Sequence, residues 1–361
     1  MNNCLCCASA KLTPLWSLSG MPAFQNRVHA SPGEARAIPR AQVRLVQCQG
    51  CGFVFNQAFE PGLMVYDAGY QNEQAHSGIF RDHLHEVVAL LQGRVPAPAK
   101  VVEVGCGKGF FLDELARQGY AVTGFDPAYE GDNPAVRRQY FGPGAAETVA
   151  DLVVLRHTLE HVPDPLGLLR LIAEGNGNSG LLYVEVPCLD WIVEKKAFWD
   201  IFHEHHSYFT AQTLTGLFGS CELRRTFGGQ YLSLLADLGT LLPRPASKAV
   251  TPLAEPFSAE LERWRGFALA HQGLVVWGAG AKGAAFVNAI DPENRAISAV
   301  VDINPAKQNR YVTGTGHRIV GPQETELLRG RVVLVMNENY LGEVAAMTKG
   351  LNVTLKTLGA A

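Results

Sequence analysis

The chain has 361 residues, of which 47% are hydrophobic and 18% charged, and its formal net charge is −3 at pH 7. That length exceeds one ordinary core and points to two or three domains, while the lack of a basic excess argues against nucleic acid as a partner. No apolar run reaches the roughly eighteen residues of a membrane span, so a soluble globular protein is expected.

The first stretch, MNNCLCCASAKL, has no basic region followed by a long apolar run, so no secretory leader is expected. A cytoplasmic, reducing location follows, and the eight cysteines are read as ligands or buried thiols before disulfides. Cys4 and Cys7 form one C-x-x-C pair and Cys48 and Cys51 a second. Two such knuckles bring four thiolates together as a structural zinc site requires, although the gap between them is longer than a usual ribbon spacing. The alternative is a set of unrelated thiols. A closed four-sulfur site has no open coordination position, so this zinc would be architectural, with Cys6 a spectator. The block carrying these pairs is taken as residues 1–80.

From 81 to 240, short apolar runs (KVVEVG, AVTGFD, DLVVLR, LLYVEVP) alternate with helical segments. That alternation predicts an α/β fold, a parallel sheet covered by helices on both faces. VVEVGCGKGFF is a strand, a glycine turn and a helix, in which Gly105, Gly107 and Gly109 allow close backbone approach to a ligand at the helix N-terminus. Asp126 ends the next strand, where a carboxylate can accept bonds from ribose hydroxyls. Glu103 in the first strand, and G-x-G-x-G in place of G-x-G-x-x-G, favour S-adenosylmethionine over a dinucleotide. DLVVLRHTLEHVPDP then reads as the fourth strand of such a fold with a loop at its C-terminal end, and His157 opens that loop among the cofactor-binding candidates. Cys106 is read as a small packed residue.

FHEHHSYFT, from Phe202 to Thr210, sets three histidines and a glutamate side by side between aromatics. A zincin reading fails, because H-E-x-x-H from His203 would need histidine where Ser207 stands. The flanking FWDIF and SYF imply burial, where polar groups need partners. An acid–base role fits better. His205 is the expected base, and Glu204 would orient it or hold its charge. Tyr208 is expected to pack.

A Pro- and Ala-rich linker follows at 240–257, and a third α/β block spans 257–361. WGAGAKG holds Gly278, Gly280 and Gly283 as a full G-x-G-x-x-G, with Asp302 ending the next strand. Alone it is a dinucleotide fingerprint, and it supports a competing reading as an NAD-dependent oxidoreductase. Against that, no hydride-transfer partner stands nearby, and the polar excursion INPAKQNRYVTGTGHRI suits substrate holding better. A degenerate fold used for docking is the plainer reading of this block.

Together these motifs resemble the three-domain C-methyltransferases that modify nucleotide-linked deoxysugars. EVGCGKG, HTLEHVPD, HEHHSYFT, FGGQYLSLL, GAGAKG, DINPAKQNRYVTGTGHRI and the two cysteine pairs carry the resemblance, which covers nearly the whole chain. It implies an N-terminal zinc-binding domain, a class I methyltransferase domain using S-adenosylmethionine, and a C-terminal Rossmann-like domain that holds substrate. It also implies an active site at Glu204, His205 and His161, with Tyr70 lining it, where His161 and His203 could polarise a carbonyl or bind substrate. Two departures bear on the substrate. Phe202 stands where the family has a tyrosine, and VLVMNENYLGEV differs from a Pro-Trp-Asn pattern. A methyltransferase acting on another carbonyl or on a hydroxyl therefore remains open beside the sugar enzyme, as does a non-catalytic ligand sensor.

Overall fold

The computed structural model describes residues 3–64, 70–142, 149–246 and 253–359. The centre of the expected linker, residues 247–252, lies outside them. The first sheet is built on β1 (Leu12–Pro22), β3 (Arg40–Cys48) and β4 (Val54–Asn56), paired antiparallel in that order, while β2 (Val28–His29) pairs elsewhere. Along β3 the buried Ala41, Val43 and Leu45 alternate with the exposed Arg40 and Arg44, the period of a strand with one face in a core.

A seven-stranded sheet follows. Its strands are β5 (Lys100–Val104), β6 (Ala121–Phe125), β7 (Val136–Arg137), β8 (Leu152–Arg156), β9 (Leu181–Pro187), β11 (Cys221–Thr226) and β12 (Tyr231–Asp237), ordered β11-β12-β9-β8-β5-β6-β7. β5 to β9 are parallel, and the central β5, β8 and β9 are buried on both faces, which explains their apolar runs. Helices 78–92 and 110–117 pack on Val101, Leu152, Val154 and Tyr183, and helix 165–175 packs on Val153, Leu155 and Val184 on the other face. The edge departs from the all-parallel expectation, since β12 runs antiparallel to both β9 and β11. The Phe227–Gln230 turn between β11 and β12 is too short for a crossover, so the chain can only double back there. Between β9 and β11, β10 (Ser207–Tyr208) leaves this sheet and pairs with β4 of the first.

The last block holds β13 (Leu274–Trp277), β14 (Ile297–Val301), β16 (Ile319–Val320), β17 (Val332–Val335) and β18 (Thr354–Thr357), all parallel in the order β16-β14-β13-β17-β18. Before β16, β15 (Tyr311–Val312) pairs with β2. The three larger sheets share one hydrophobic cluster, joined through contacts such as Trp16 to Phe257 at 5.2 Å and Phe198 to Phe286 at 6.0 Å between ring centroids.

The polar excursion after Asp302 divides in a way its sequence did not suggest. Its first residues, Asp302 to Asn304 and Lys307, border a cavity. Its later residues dock on the N-terminal region instead: Gly314 donates to the Ala35 carbonyl at 2.8 Å, and Arg40 donates to the Gly314 carbonyl at 2.6 Å. Thr313, Thr315 and His317 are fully buried there. Among the described residues no helix is long and apolar enough to cross a membrane.

Candidate active site

The thiols of Cys4, Cys7, Cys48 and Cys51 all lie within 4.8 Å of one another. Cys4 Sγ is 3.7 Å from Cys51 Sγ, and Cys7 Sγ is 3.5 Å from Cys48 Sγ, too far for disulfides. A tetrahedron with zinc–sulfur bonds of about 2.3 Å has edges of about 3.8 Å, so these spacings fit a closed four-thiolate zinc site. Cys6 is buried beside them and is not of the set.

None of the four thiols lines the cavity of about 350 Å³ that receives residues from all three blocks. Of the residues expected at a site, Tyr70, Glu103, Gly105, Gly107, His157, His161, Glu204 and His205 line it. Gly109 and Asp126 flank it: Gly109 precedes helix 110–117, and Asp126 accepts the backbone N–H groups of Gly107 and Ala128, each at 2.8 Å. In this structure that carboxylate braces the glycine turn. Gly105 is the position where no other residue fits, because its φ is +75° and a Cβ would lie 2.3 Å from Thr158 Oγ1. Beside it Glu103 is buried with Oε2 unpartnered among the described residues, and burial raises its carboxyl to about 8. A bare backbone turn beside an unpaired carboxyl fits a ligand that ends in an amino acid and brings its own ammonium group. Burial also pushes the Cys106 thiol up, which leaves it a packing residue.

The histidine segment is fully enclosed, and its side chains do not all face the same way. His203 turns from the cavity to the first sheet, where Nδ1 lies 3.0 Å from the Gln42 carbonyl and Nε2 accepts the Glu60 N–H at 3.2 Å. Its expected substrate role is therefore corrected: this ring is a neutral structural brace. His206 packs between Phe55 and Phe59, and burial pushes it down to about 4. Tyr208 does pack, its hydroxyl donating to the Phe202 carbonyl at 3.0 Å. Glu204 and His205 face the cavity, with the His205 ring 4.8 Å from that of His161 and 4.1 Å from Phe202. Burial raises the Glu204 carboxyl to about 8. The expected orientation of His205 by Glu204 is not seen, since neither Glu204 oxygen nor His205 Nδ1 makes a hydrogen bond among the described residues. Glu204 lies in the turn closed by the His205 N–H on the Phe202 carbonyl at 3.3 Å, and adjacency in sequence did not produce contact between the two side chains.

Several site residues escaped the sequence reading. Glu185 in β9 is fully buried and holds Arg156 at 2.7 Å, His83 at 3.0 Å and the Tyr183 hydroxyl at 3.0 Å. His157 Nε2 is 3.2 Å from Glu185 without the alignment of a hydrogen bond, and its Nδ1 is 3.5 Å from Glu160. Burial alone would lower His157, but the Glu160 and Glu185 carboxylates outweigh it and push the ring up to about 9. Asp200 and Lys282 form an ion pair at 2.7 Å that joins the turn before the histidine segment to the second glycine loop. The available signal was a charged residue inside an apolar run, as in LLYVEVP, DLVVLR and FWDIF.

That second loop opens on the same cavity through Gly278, Gly280 and Gly283. A Cβ on Gly283 would lie 1.7 Å from the Gly278 carbonyl oxygen, so the helix packs tightly on its turn. Asp302 accepts the N–H groups of Ala279 and Asn304, each at 2.8 Å, and Lys282 also donates to Gln230 at 2.7 Å.

Comparison with known proteins adds to this geometry. A family profile described as a methyltransferase domain matches residues 75–223, and one described as a C-methyltransferase C-terminal domain matches residues 265–354. The C-methyltransferase NovU of Streptomyces niveus is 26% identical over 349 residues, covering 83% of this chain and 81% of that protein. A ubiquinone biosynthesis O-methyltransferase of Escherichia coli O7:K1 (strain IAI39 / ExPEC) is 32% identical over 111 residues, which are 25% of this chain and 46% of that one, so the likeness spans less than half of its length. Among solved structures, the Burkholderia thailandensis 1,6-didemethyltoxoflavin-N1-methyltransferase overlaps 44% of this chain and 80% of its own at 19% identity, with a TM-score of 0.34 too low to carry an argument.

Proposed function

The chain belongs to the three-domain C-methyltransferases that use S-adenosylmethionine, and from that premise we propose that it methylates a carbon next to the ketone of a nucleotide-linked deoxysugar through an enolate. The observation that carries this reading is the meeting of His205, His161 and Glu204 with the first glycine turn in one cavity. The cofactor supplies an electrophilic methyl group when bound. In this reading Glu103, Gly105, Gly107, Gly109, Asp126 and His157 form its seat. The unpaired Glu103 carboxyl takes the ammonium end.

His205 removes the proton from the carbon beside the carbonyl, and the electron pair of that C–H bond becomes the enolate. His161 and Tyr70 hold the carbonyl oxygen as its charge grows, and Glu204, kept neutral by burial, can donate a hydrogen bond to it. The carbon would then bond to that methyl group as the methyl–sulfur bond breaks and its electron pair stays on sulfur, and His205 returns its proton to water. The Cys4, Cys7, Cys48 and Cys51 site holds zinc for architecture alone. The blocks 1–80, 81–240 and 257–361 act as zinc-binding, methyl-transferring and substrate-holding units, and the chain works in the cytoplasm on a small molecule.

Phe202 at the cavity wall supports a second reading, a methyltransferase for a non-sugar carbonyl or a hydroxyl. The test is transfer from isotope-labelled S-adenosylmethionine to a panel of nucleotide-linked 4-keto sugars, with products read by mass. Label on carbon supports the sugar reading. Good S-adenosylhomocysteine binding with no transfer to any keto sugar discards it in favour of the second.

A further inference from the structure

His205 sits in a poor place for a base. Burial pushes its ring well below the ordinary histidine range, and His161, His157 and Lys282 push it further in the same direction. A base so weakened removes a carbon-bound proton only if something nearby favours the imidazolium that results. Glu204 was the expected helper, yet its carboxyl is itself pushed toward the neutral form.

We propose that Glu160, held in place by His157, is the counter-ion of the imidazolium that forms on His205. A carboxylate oxygen of Glu160 and ring nitrogens of His161 and His205 lie within 4.8 Å of one another. Glu160 is 1% exposed, and its Oε2 has no hydrogen-bond partner among the described residues. Its Oε1 lies 3.5 Å from His157 Nδ1, and the far side of that ring meets Glu185 at 3.2 Å, in the arginine-bound core of the seven-stranded sheet. The charges therefore alternate from Arg156 through Glu185, His157 and Glu160 to the developing imidazolium. The other titratable groups around His205 are His161 from the same turn as Glu160, Glu204 and Tyr208 from its own segment, Asp200 from the preceding turn, and Lys282 from helix 281–290. Of the carboxyl groups, Asp200 is paired with Lys282 and burial favours neutral Glu204, which leaves Glu160 as the carboxyl group placed to answer a charge on the ring.

The inference rests on His205 being the base in the function proposed above, so the test separates the two. The His205 ring is titrated by nitrogen-15 NMR in the full-length, metal-loaded chain with S-adenosylhomocysteine, as wild type, Glu160→Gln and Glu160→Asp. Turnover is measured on whichever keto sugar the wild type accepts. Glu160→Gln should move the His205 midpoint down by about 1–3 pH units and lower kcat far more than it alters KM. Glu160→Asp should keep most of both. A His205 that titrates alike in wild type and Glu160→Gln, or that stays neutral in both down to about pH 5, overturns the counter-ion. A shifted midpoint with unchanged kcat removes its catalytic role. Wild-type inactivity on every keto sugar would instead overturn the sugar reading, and the titration would still decide this one.

Discussion

The backbone N–H of Asn56 donates to the carbonyl of His206 at 2.8 Å. Asn56 ends the strand that follows the second cysteine pair, and His206 follows the proposed base. The segment FHEHHSYFT is thus a guest strand of the cysteine-bearing sheet on one side and a wall of the cavity on the other. The position of His205 depends on a sheet whose loops close on four thiols.

Cys48→Ser should lose bound metal and lower the melting temperature, and turnover should fall as a consequence of lost order at β4. Metal analysis and calorimetry on the same sample check this. A variant that keeps its fold and its activity without metal would contradict the architectural role.

His205→Gln should leave S-adenosylhomocysteine affinity nearly intact while turnover drops by roughly 10²–10⁴-fold. Isothermal calorimetry beside labelled-methyl transfer separates the two effects. Retained turnover removes His205 as the base.

Glu103 is raised to about 8 by burial, so much of it is protonated at neutral pH before any ligand arrives. A ligand ammonium favours the carboxylate, so binding should release a proton near pH 7 and tighten as pH rises from about 6 to 8. Calorimetry in buffers of different ionisation enthalpy reads the proton directly. Glu103→Gln should abolish both the release and the pH dependence.

His157 is raised from 6.5 to about 9 on folding. A raised histidine contributes stability that is complete below 6.5 and is lost as pH climbs through 9. Melting temperature should therefore fall more steeply between those values in wild type than in His157→Gln. Parallel slopes would show that His157 is not held charged.

Lys282→Met strands Asp200, whose side chain is 4% exposed, without its partner. Removing one member of so enclosed a pair costs roughly 3–5 kcal/mol. Removing both, with Asp200→Leu added, should recover much of that in urea unfolding. Equal losses in the single and double variants would mean the pair does not join the two glycine-loop blocks.

The glycine turns were legible because backbone geometry demands glycine there: the Gly105 site would not take a Cβ in any sequence with the same loop. The cysteine pairs were legible from spacing. The histidine segment was legible as polar chemistry among aromatics, but its assignments were only half so. Spacing cannot tell that His203 turns to Gln42 while His205 turns to the cavity, because both directions are set by where β10 pairs. Glu160 hid in plain view beside His161, since nothing local marks which carboxylate will meet a ring from another loop. The antiparallel β12 was hidden for a related reason: FGGQYLSLL reads as one more buried run, and its direction is fixed only by the turn before it.

The short pairing of Val28–His29 with Tyr311–Val312 has a consequence for how the chain comes into being. During synthesis, the first eighty residues emerge long before either of the strands they need, and β10 arrives before β15 does. The four thiols of the cysteine-bearing region can come together early, but its surface around Ala35 and Arg40 waits for Gly314 to leave the ribosome. Its final closure is therefore a late event. A protein stopped short of residue 312 would carry an N-terminal region with an unpaired strand edge facing solvent, which invites association with other chains.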